Sequence, residues 1–368
     1  MTKKTRITLF MVILASTLWT IALGAENDPQ AVVLGTFTQE QEVGIELEVL
    51  FSILDSEGQP IPRDDINMDQ EGAIQLLNTT SVPISASIEA ATTPIQIALV
   101  IDASGSMESN IDDVKEAAIG FVNTAPSNAE IGVFSFSDDV IQVGDFAKED
   151  QRALVVNAIT SINIRNPGTG NTCIYKSVLK AIDAFDNTSE IDSRERRAIV
   201  LITDGTDSES GSCGDPTGDN IITEARQASI TTQIYTIGLC KDTQCSNIDV
   251  GSLASLSNST FGLSVTGELL NLDMLFQEVL DSLNNLFIAR TNILADKGLN
   301  RVVLNFSAII QDIDKSFNLT GIEFNSSKDY RIQLSSVQLN NLEYDRERNI
   351  YNMSLNITNP SYIRPYRD

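Results

Sequence analysis

The sequence predicts an α/β chain: a doubly wound, mostly parallel sheet flanked on both sides by antiparallel β segments that could form one β-sandwich. Three observations carry that expectation. Residues 94–288 alternate short apolar runs with helical stripes, the rhythm of β and α in turn. Residues 31–93 and 291–368 instead alternate apolar and polar side chains with a period of two, as strands do when one face is buried and the other is wet. The first 24 residues fit neither rhythm and read as a targeting segment.

That segment opens with Lys3, Lys4 and Arg6, continues through an apolar run from Ile7 to Ala22, and closes on Ala22-Leu23-Gly24 with small residues at the −3 and −1 positions. It reads as a cleavable secretory signal over residues 1–24, with an uncleaved anchor as the alternative. No Cys lies near the cleavage point, which disfavours a lipoprotein anchor. The expected location is secreted, cell-surface or periplasmic, where disulfides persist. All four cysteines fall in one segment, and the favoured pairings are Cys173–Cys213 and Cys240–Cys245. No CxxC pair occurs, so a zinc site built from the four thiolates is disfavoured.

Residues 31–93 make a small N-terminal β module. Val43, Ile45, Leu47, Val49, Phe51 and Ile53 share one parity, with Glu46 and Glu48 on the other, expected wet, face. Asp55-Ser56-Glu57-Gly58 is a turn signal, and Ile84, Ala86 and Ile88 repeat the alternation. Residues 94–290 form the α/β domain. Its strands are expected at Ile97 to Ile101, Ile131 to Phe136, Ile199 to Ile202 and Ile234 to Ile237, nearly continuous apolar runs suited to burial on both faces. Val140 to Val143 follows after only Ser137-Asp138-Asp139, a link too short for a parallel crossover, so it is expected as an antiparallel edge. Ile111, Val114, Ala118, Phe121 and Val122 mark one helix, and Tyr175, Val178, Leu179, Ile182 and Phe185 a second. A final helix runs from Leu269 through Leu272, Leu275, Phe276, Val279 and Leu283 to Leu286, too interrupted by charge to span a bilayer. Residues 291–368 form the C-terminal β segment, with strands at Val302 to Phe306, Ile332 to Leu339 and Tyr351 to Ile357. Each flank is short for an independent core. We expect the two to pair into one sandwich with the α/β domain inserted, two separate β modules being the alternative.

Composition narrows the function. The 368 residues hold 25 Lys and Arg against 50 Asp and Glu, and no His, for a net charge of −25. The missing imidazole removes Ser-His-Asp and Cys-His pairs and His-based zinc sites. The acidic excess argues against nucleic-acid binding, which needs cations on phosphates, and against docking on anionic membranes.

The apolar run at Ile97 ends in Asp102-Ala103-Ser104-Gly105-Ser106, and the run at Ile199 ends in Thr203-Asp204-Gly205. Between them Gly170-Asn171-Thr172 opens a helix. Ligands of doubly wound sheets sit outside the carboxyl ends of the strands at the switch point. The candidate metal-ligating residues are therefore Asp102, Ser104, Ser106, Thr172 and Asp204. Two carboxylates and three hydroxyls form an all-oxygen shell, which selects Mg²⁺, Mn²⁺ or Ca²⁺. Neutral hydroxyls hold an ion without quenching it, and a partner's Asp or Glu is the natural further ligand. Taken singly, each element is an ordinary turn or helix cap; the order and placement of all three carry the reading.

Ile97 to Met107, with its Asp-x-Ser-x-Ser, resembles the opening of a von Willebrand factor type A (vWA) domain. Gly132-Val133-Phe134-Ser135-Phe136-Ser137, Leu201 to Gly205 and Ile234 to Leu239 extend the resemblance over about residues 94–290. It implies a metal-ion-dependent adhesion site (MIDAS) on Asp102, Ser104, Ser106, Thr172 and Asp204, holding Mg²⁺, and cation-dependent protein binding. Two features depart from the family pattern. Cys173 follows Thr172, so a disulfide there would restrain a loop that shifts with ligand affinity in the family. Ser109 and Asn110 stand where integrin-type members carry acidic residues, so no adjacent calcium site is expected. The expected function is a non-enzymatic adhesion module. The alternatives are a structural surface component whose metal braces loops, and a metal-assisted hydrolase in which Glu108 would be the base.

Overall fold

The computed structural model describes residues 28–42, 44–77, 83–165, 171–186, 196–208, 213–214, 217–227, 231–330, 336–345 and 350–358. Residues 1–24, where a signal is expected, lie outside them, as do Val43, Gly170 and Ile332.

Five short strands come first: β1 (Gln30–Glu40), β2 (Ile45–Leu54), β3 (Ile66–Met68), β4 (Glu71–Leu76) and β5 (Ile84–Ala90). After β2 the chain turns at Asp55, whose Oδ1 accepts from Glu57 N at 2.8 Å and Gln59 N at 2.9 Å. Alternation of strand and helix follows: β6 (Ile95–Asp102), α1 (Ile111–Thr124), β7 (Ala129–Phe136), β8 (Val140–Ala147), α2 (Arg152–Thr160), α3 (Ile174–Asp186), β9 (Arg196–Thr203), α4 (Gly218–Gln227), β10 (Gln233–Cys240), α5 (Val250–Ser259), β11 (Ser264–Glu268) and α6 (Leu272–Leu283). Strands return with β12 (Leu286–Ile293), β13 (Gly298–Ile310), β14 (Ile313–Ser326) and the separate hairpin β15 (Ser336–Asp345) and β16 (Ile350–Thr358).

The middle segment is a vWA-like α/β fold. Its six strands are ordered β11-β10-β9-β6-β7-β8, parallel except for β8, which runs antiparallel to β7 at the edge. Helices cover both faces. Ile95, Ile97, Leu99 and Ile101 of β6 pack with α1, α2 and α6, whereas Ala98 and Val100 pack with α3, α4 and α5. Each fully buried Leu, Ile or Phe contributes roughly 1.5–3 kcal/mol, which explains why the central strands carry apolar residues at both parities. The connections leave β6 and β9 toward opposite sides, so the switch point lies between these two neighbours.

Sheet strands from both flanks interleave. The order β1-β2-β12-β5-β4-β13-β14, with β3 on β13, places β12 between β2 and β5 of the first flank. The sheet curls until β14 meets β1, with Lys315 Nζ 2.5 Å from Asp28 and Lys328 Nζ 3.4 Å from Glu40. In its interior Phe306 stacks on Phe317 and meets Phe51 at a tilt.

Three features differ from the sequence reading. Glu48 is buried, not wet, and its Oε1 accepts from Arg290 Nε at 2.8 Å. Leu50 and Ser52 on the same parity are buried too, because that face of β2 meets a second cluster of Leu34, Phe37, Leu286 and Phe261. This cluster, with Thr231 N donating to Leu34 O at 2.8 Å and Gln59 Nε2 to Asn258 Oδ1 at 2.6 Å, joins the curled sheet to the α/β domain. The last helix stops at Leu283, so Leu286 begins β12 instead of continuing the apolar stripe. Strands β1, β3, β4, β11, β12 and β14 and helices α2, α4 and α5 had no sequence expectation of their own.

Arg196, buried at the start of β9, donates to Leu283 O at 2.8 Å and Thr93 O at 3.3 Å. It thereby ties the two crossings between sheet and α/β domain to one side chain. Burial lowers its pKa to about 10, and the same burial pushes the neighbouring Tyr235 hydroxyl up. Among the described residues no helix is long and apolar enough to cross a membrane.

Candidate metal centre

Asp102 ends β6, and its strand partners are Phe136 on β7 and, one residue earlier, Ile202 on β9. A strand end there frees the side chain to point beyond the sheet. Its two oxygens are both held: Oδ1 accepts from Ser104 N at 2.8 Å, and Oδ2 accepts from Thr203 Oγ1 at 2.7 Å. The bond to Ser104 N bends the chain into a turn that continues as a 3₁₀ segment, Gly105–Ser109, with Met107 buried beneath it. This turn directs two hydroxyls to one place, with Ser104 Oγ and Ser106 Oγ 3.1 Å apart.

Asp204 follows β9 directly. Ser106 Oγ donates to its Oδ1 at 2.6 Å, so the two sequence-distant segments meet across the switch point. The other oxygen, Oδ2, is buried and receives no hydrogen bond among the described residues. Lys241 Nζ stands 3.4 Å from it. Thr203 also accepts from Gly205 N at 3.1 Å, which shapes the turn after Asp204. A Cβ on Gly205 would lie 3.2 Å from Thr172 Oγ1, so this glycine is what lets Thr172 approach.

The Thr172 loop is fixed from several directions. Thr172 N donates to Ser208 Oγ at 3.0 Å, and Ser208 N donates to Thr172 O at 2.9 Å. Asn171 donates through both N and Nδ2 to Asp138 Oδ1, at 3.0 and 2.6 Å. Tyr175 N donates to Asp207 Oδ1 at 3.1 Å. Both favoured cystine pairings are present, Cys173–Cys213 beside this loop and Cys240–Cys245 after β10.

Asp102, Ser104, Ser106 and Asp204 are thus joined by a chain of polar contacts, and Thr172 sits against Gly205. The electrostatics follow from burial. Desolvation pushes the Asp102 carboxyl up to about 6, opposed by the bonds from Thr203 and Ser104 and assisted by the nearby Asp204. Arg165 anchors the underside, its backbone N donating to Ala103 O at 2.9 Å and its guanidinium to Ser135 Oγ at 3.0 Å. Burial lowers the pKa of Arg165, against Asp139, Asp102 and Asp138, which raise it.

The donor set suits a hard cation. Every side chain offered is oxygen-bearing. Two buried carboxylates close together are costly without a positive charge between them, and Asp204 Oδ2 is a buried acceptor without a hydrogen-bond donor. Among the described residues no three His, Cys, Asp or Glu side chains gather to hold a metal, here or elsewhere; this site offers two carboxylates, and hydroxyls would supply the remaining oxygens.

Sequence reasoning passed over Thr203, Lys241 and Asn247. Thr203 adjoins Asp204, and its hydroxyl beside a strand-end carboxylate is the signal that could have found it. Asn247 Nδ2 donates to Asp204 O at 2.6 Å and to Leu239 O at 2.9 Å. Nothing in linear spacing points from Lys241 or Asn247 to Asp204.

Residues 97–206 match the family described as the von Willebrand factor type A domain, a range that contains all five residues. Over 146 residues the chain is 27% identical to mouse (Mus musculus) inter-alpha-trypsin inhibitor heavy chain H3. That match covers 38% of this chain and only 16% of the relative. Among solved structures it is similar to a von Willebrand factor type A protein from Catenulispora acidiphila (13% identity, 77% of this chain and 76% of that one, TM-score 0.45). It is also similar to proximal thread matrix protein 1 of the mussel byssus with a zinc-occupied MIDAS motif (16% identity, 56% and 49%, TM-score 0.44).

Proposed function

We propose that the vWA domain of this chain is an extracytoplasmic protein-binding module. It captures an Asp or Glu of a partner protein through a divalent cation held by Asp102, Ser104, Ser106, Thr172 and Asp204. Mg²⁺ is the favoured ion, with Mn²⁺ or Ca²⁺ as alternatives. The observation that carries this reading is the convergence of two buried carboxylates and paired serine hydroxyls at the carboxyl ends of β6 and β9, with Asp204 Oδ2 receiving no hydrogen bond among the described residues. When bound, the ion supplies a positive charge open to a foreign carboxylate. The chain's own residues do the rest: Thr203 and Ser104 N orient Asp102, Ser106 orients Asp204, and the Ser208 and Asp138 contacts hold Thr172 in place.

The loop-bracing alternative is weaker, because two disulfides and the Asn247 contacts already brace these loops without an ion. We assign no catalysis. The chain has no His, and Glu108 lies in the 3₁₀ segment, outside the chain of polar contacts that joins Asp102, Ser104, Ser106 and Asp204 among the described residues. Cystines on this face support export, and the curled sheet built from both flanks is read as the platform into which the domain is inserted.

The test is capture of partner proteins by the full chain in Mg²⁺ and in EDTA; capture indifferent to EDTA rejects the reading. Thr172→Ala is expected to weaken partner capture more than Mg²⁺ binding, since it removes one neutral oxygen and leaves both charges. Calorimetry with Mg²⁺ beside the capture assay checks the order of the two losses.

A further inference from the structure

Lys241 contacts the centre in a way the proposed function does not use. Its ammonium lies 3.4 Å from Asp204 Oδ2, half-exposed at 50% where the Asp204 side chain is at 0%. That oxygen is the one with no hydrogen-bond donor. The placement is built rather than incidental. Cys240–Cys245 closes the loop that carries Lys241, and Lys241 N donates to Asn247 Oδ1 at 2.8 Å. Asn247 in turn donates to the carbonyl of Asp204 at 2.6 Å. Lysine backbone, asparagine amide and aspartate carbonyl are thus knitted together, and the lysine head reaches over the same aspartate's carboxylate.

An ammonium has three donors and no lone pair. It neutralises a carboxylate, but it cannot join a metal's coordination shell. With Oδ1 accepting from Ser106, the Asp204 oxygen facing Lys241 is the one that would be open to a divalent ion or a water bound to it. Like charges at this separation also repel, and the buried carboxylate limits screening on its side. We propose, resting on the metal-binding reading above, that Lys241 is a tethered cation that occupies Asp204 in the metal-free protein and is displaced when Mg²⁺ enters. The chain thereby trades metal affinity for a stable metal-free state. Half-filling of the site thereby moves to a higher concentration of the free divalent ion.

The experiment titrates Mg²⁺ alone into the full chain by calorimetry and measures melting in EDTA, for wild type, Lys241→Gln, Asp204→Asn and the double variant. Lys241→Gln is expected to bind Mg²⁺ roughly fivefold more tightly, the scale of one half-exposed ion pair. It should also melt lower than wild type in EDTA, and Asp204→Asn should cancel that difference. Unchanged or weaker Mg²⁺ binding by Lys241→Gln, with wild type binding normally, overturns the proposal alone. An EDTA melting point unaffected by Lys241→Gln does so too. Absence of Mg²⁺ binding in wild type and Lys241→Gln alike overturns the metal reading itself, and the displacement with it.

Discussion

Asp102→Ala is expected to abolish the response to Mg²⁺ while the fold persists. A ligand at a hundred times its Kd adds about 2.7 kcal/mol to stability. For a domain of this size that is a rise in Tm of roughly 5–10 °C over the value in EDTA. Wild type should show such a rise and Asp102→Ala none. The side chain does two things at once, offering a carboxylate and holding the Ser104 turn through its Oδ1, so both the charge and the aim of the hydroxyls are lost. The sheet itself should survive, because β6 keeps its pairing with β7 and β9 through the backbone. Burial already pushes the Asp102 carboxyl up to about 6, so its removal from a metal-free protein also relieves a desolvation cost. Differential scanning fluorimetry with and without EDTA checks this, and a rise that persists in Asp102→Ala refutes the ligand assignment.

Paired substitution of Cys173 and Cys213 by Ser should cost roughly 3–4 kcal/mol, the loop-closure value for a cross-link over a few tens of residues. The bridge spans a sequence separation of 40. It joins the residue after Thr172 to the segment beyond Asp204, which also meets the Thr172 loop through Ser208 and Asp207. Without it, Thr172 loses its covalent restraint but keeps Asn171 on Asp138 and Tyr175 N on Asp207. We therefore expect urea unfolding at a lower midpoint and faster proteolysis around residues 205–217, with Mg²⁺ affinity reduced less than partner capture. Unaltered proteolysis would show that hydrogen bonds alone fix the loop. The paired variant avoids leaving one reactive thiol behind.

Much of the α/β domain was readable in advance because its signals are local. Apolar runs of strand length, a three-residue link before Val140 and helical stripes on α1 and α3 each report on their own few residues. Asp102 and Asp204 were readable for the same reason, as polar residues closing apolar strands. Glu48 was misread because its partner, Arg290 on the neighbouring strand β12, is more than two hundred residues away. Leu286 was misread because an apolar residue three positions beyond Leu283 fits a helix stripe and a strand start equally well. Lys241 and Asn247 stayed invisible because a half-exposed lysine beside a cystine resembles any solvated loop until the fold brings Asp204 next to it.

The place of β12 has a consequence for biosynthesis. Its eight residues, Leu286–Ile293, fill the gap between β2 and β5, yet they are made after the whole α/β domain. Until then β2 and β5 lack the partner that lies between them, and β3 and β4 lack β13. Unpaired strand edges invite pairing with other chains. The order of assembly is therefore imposed: the α/β domain can close early from contacts near in sequence, and the sheet completes last, around a strand delivered by α6. A nascent chain arrested before residue 286 should be a client of holding chaperones, whereas one released past β14 should not.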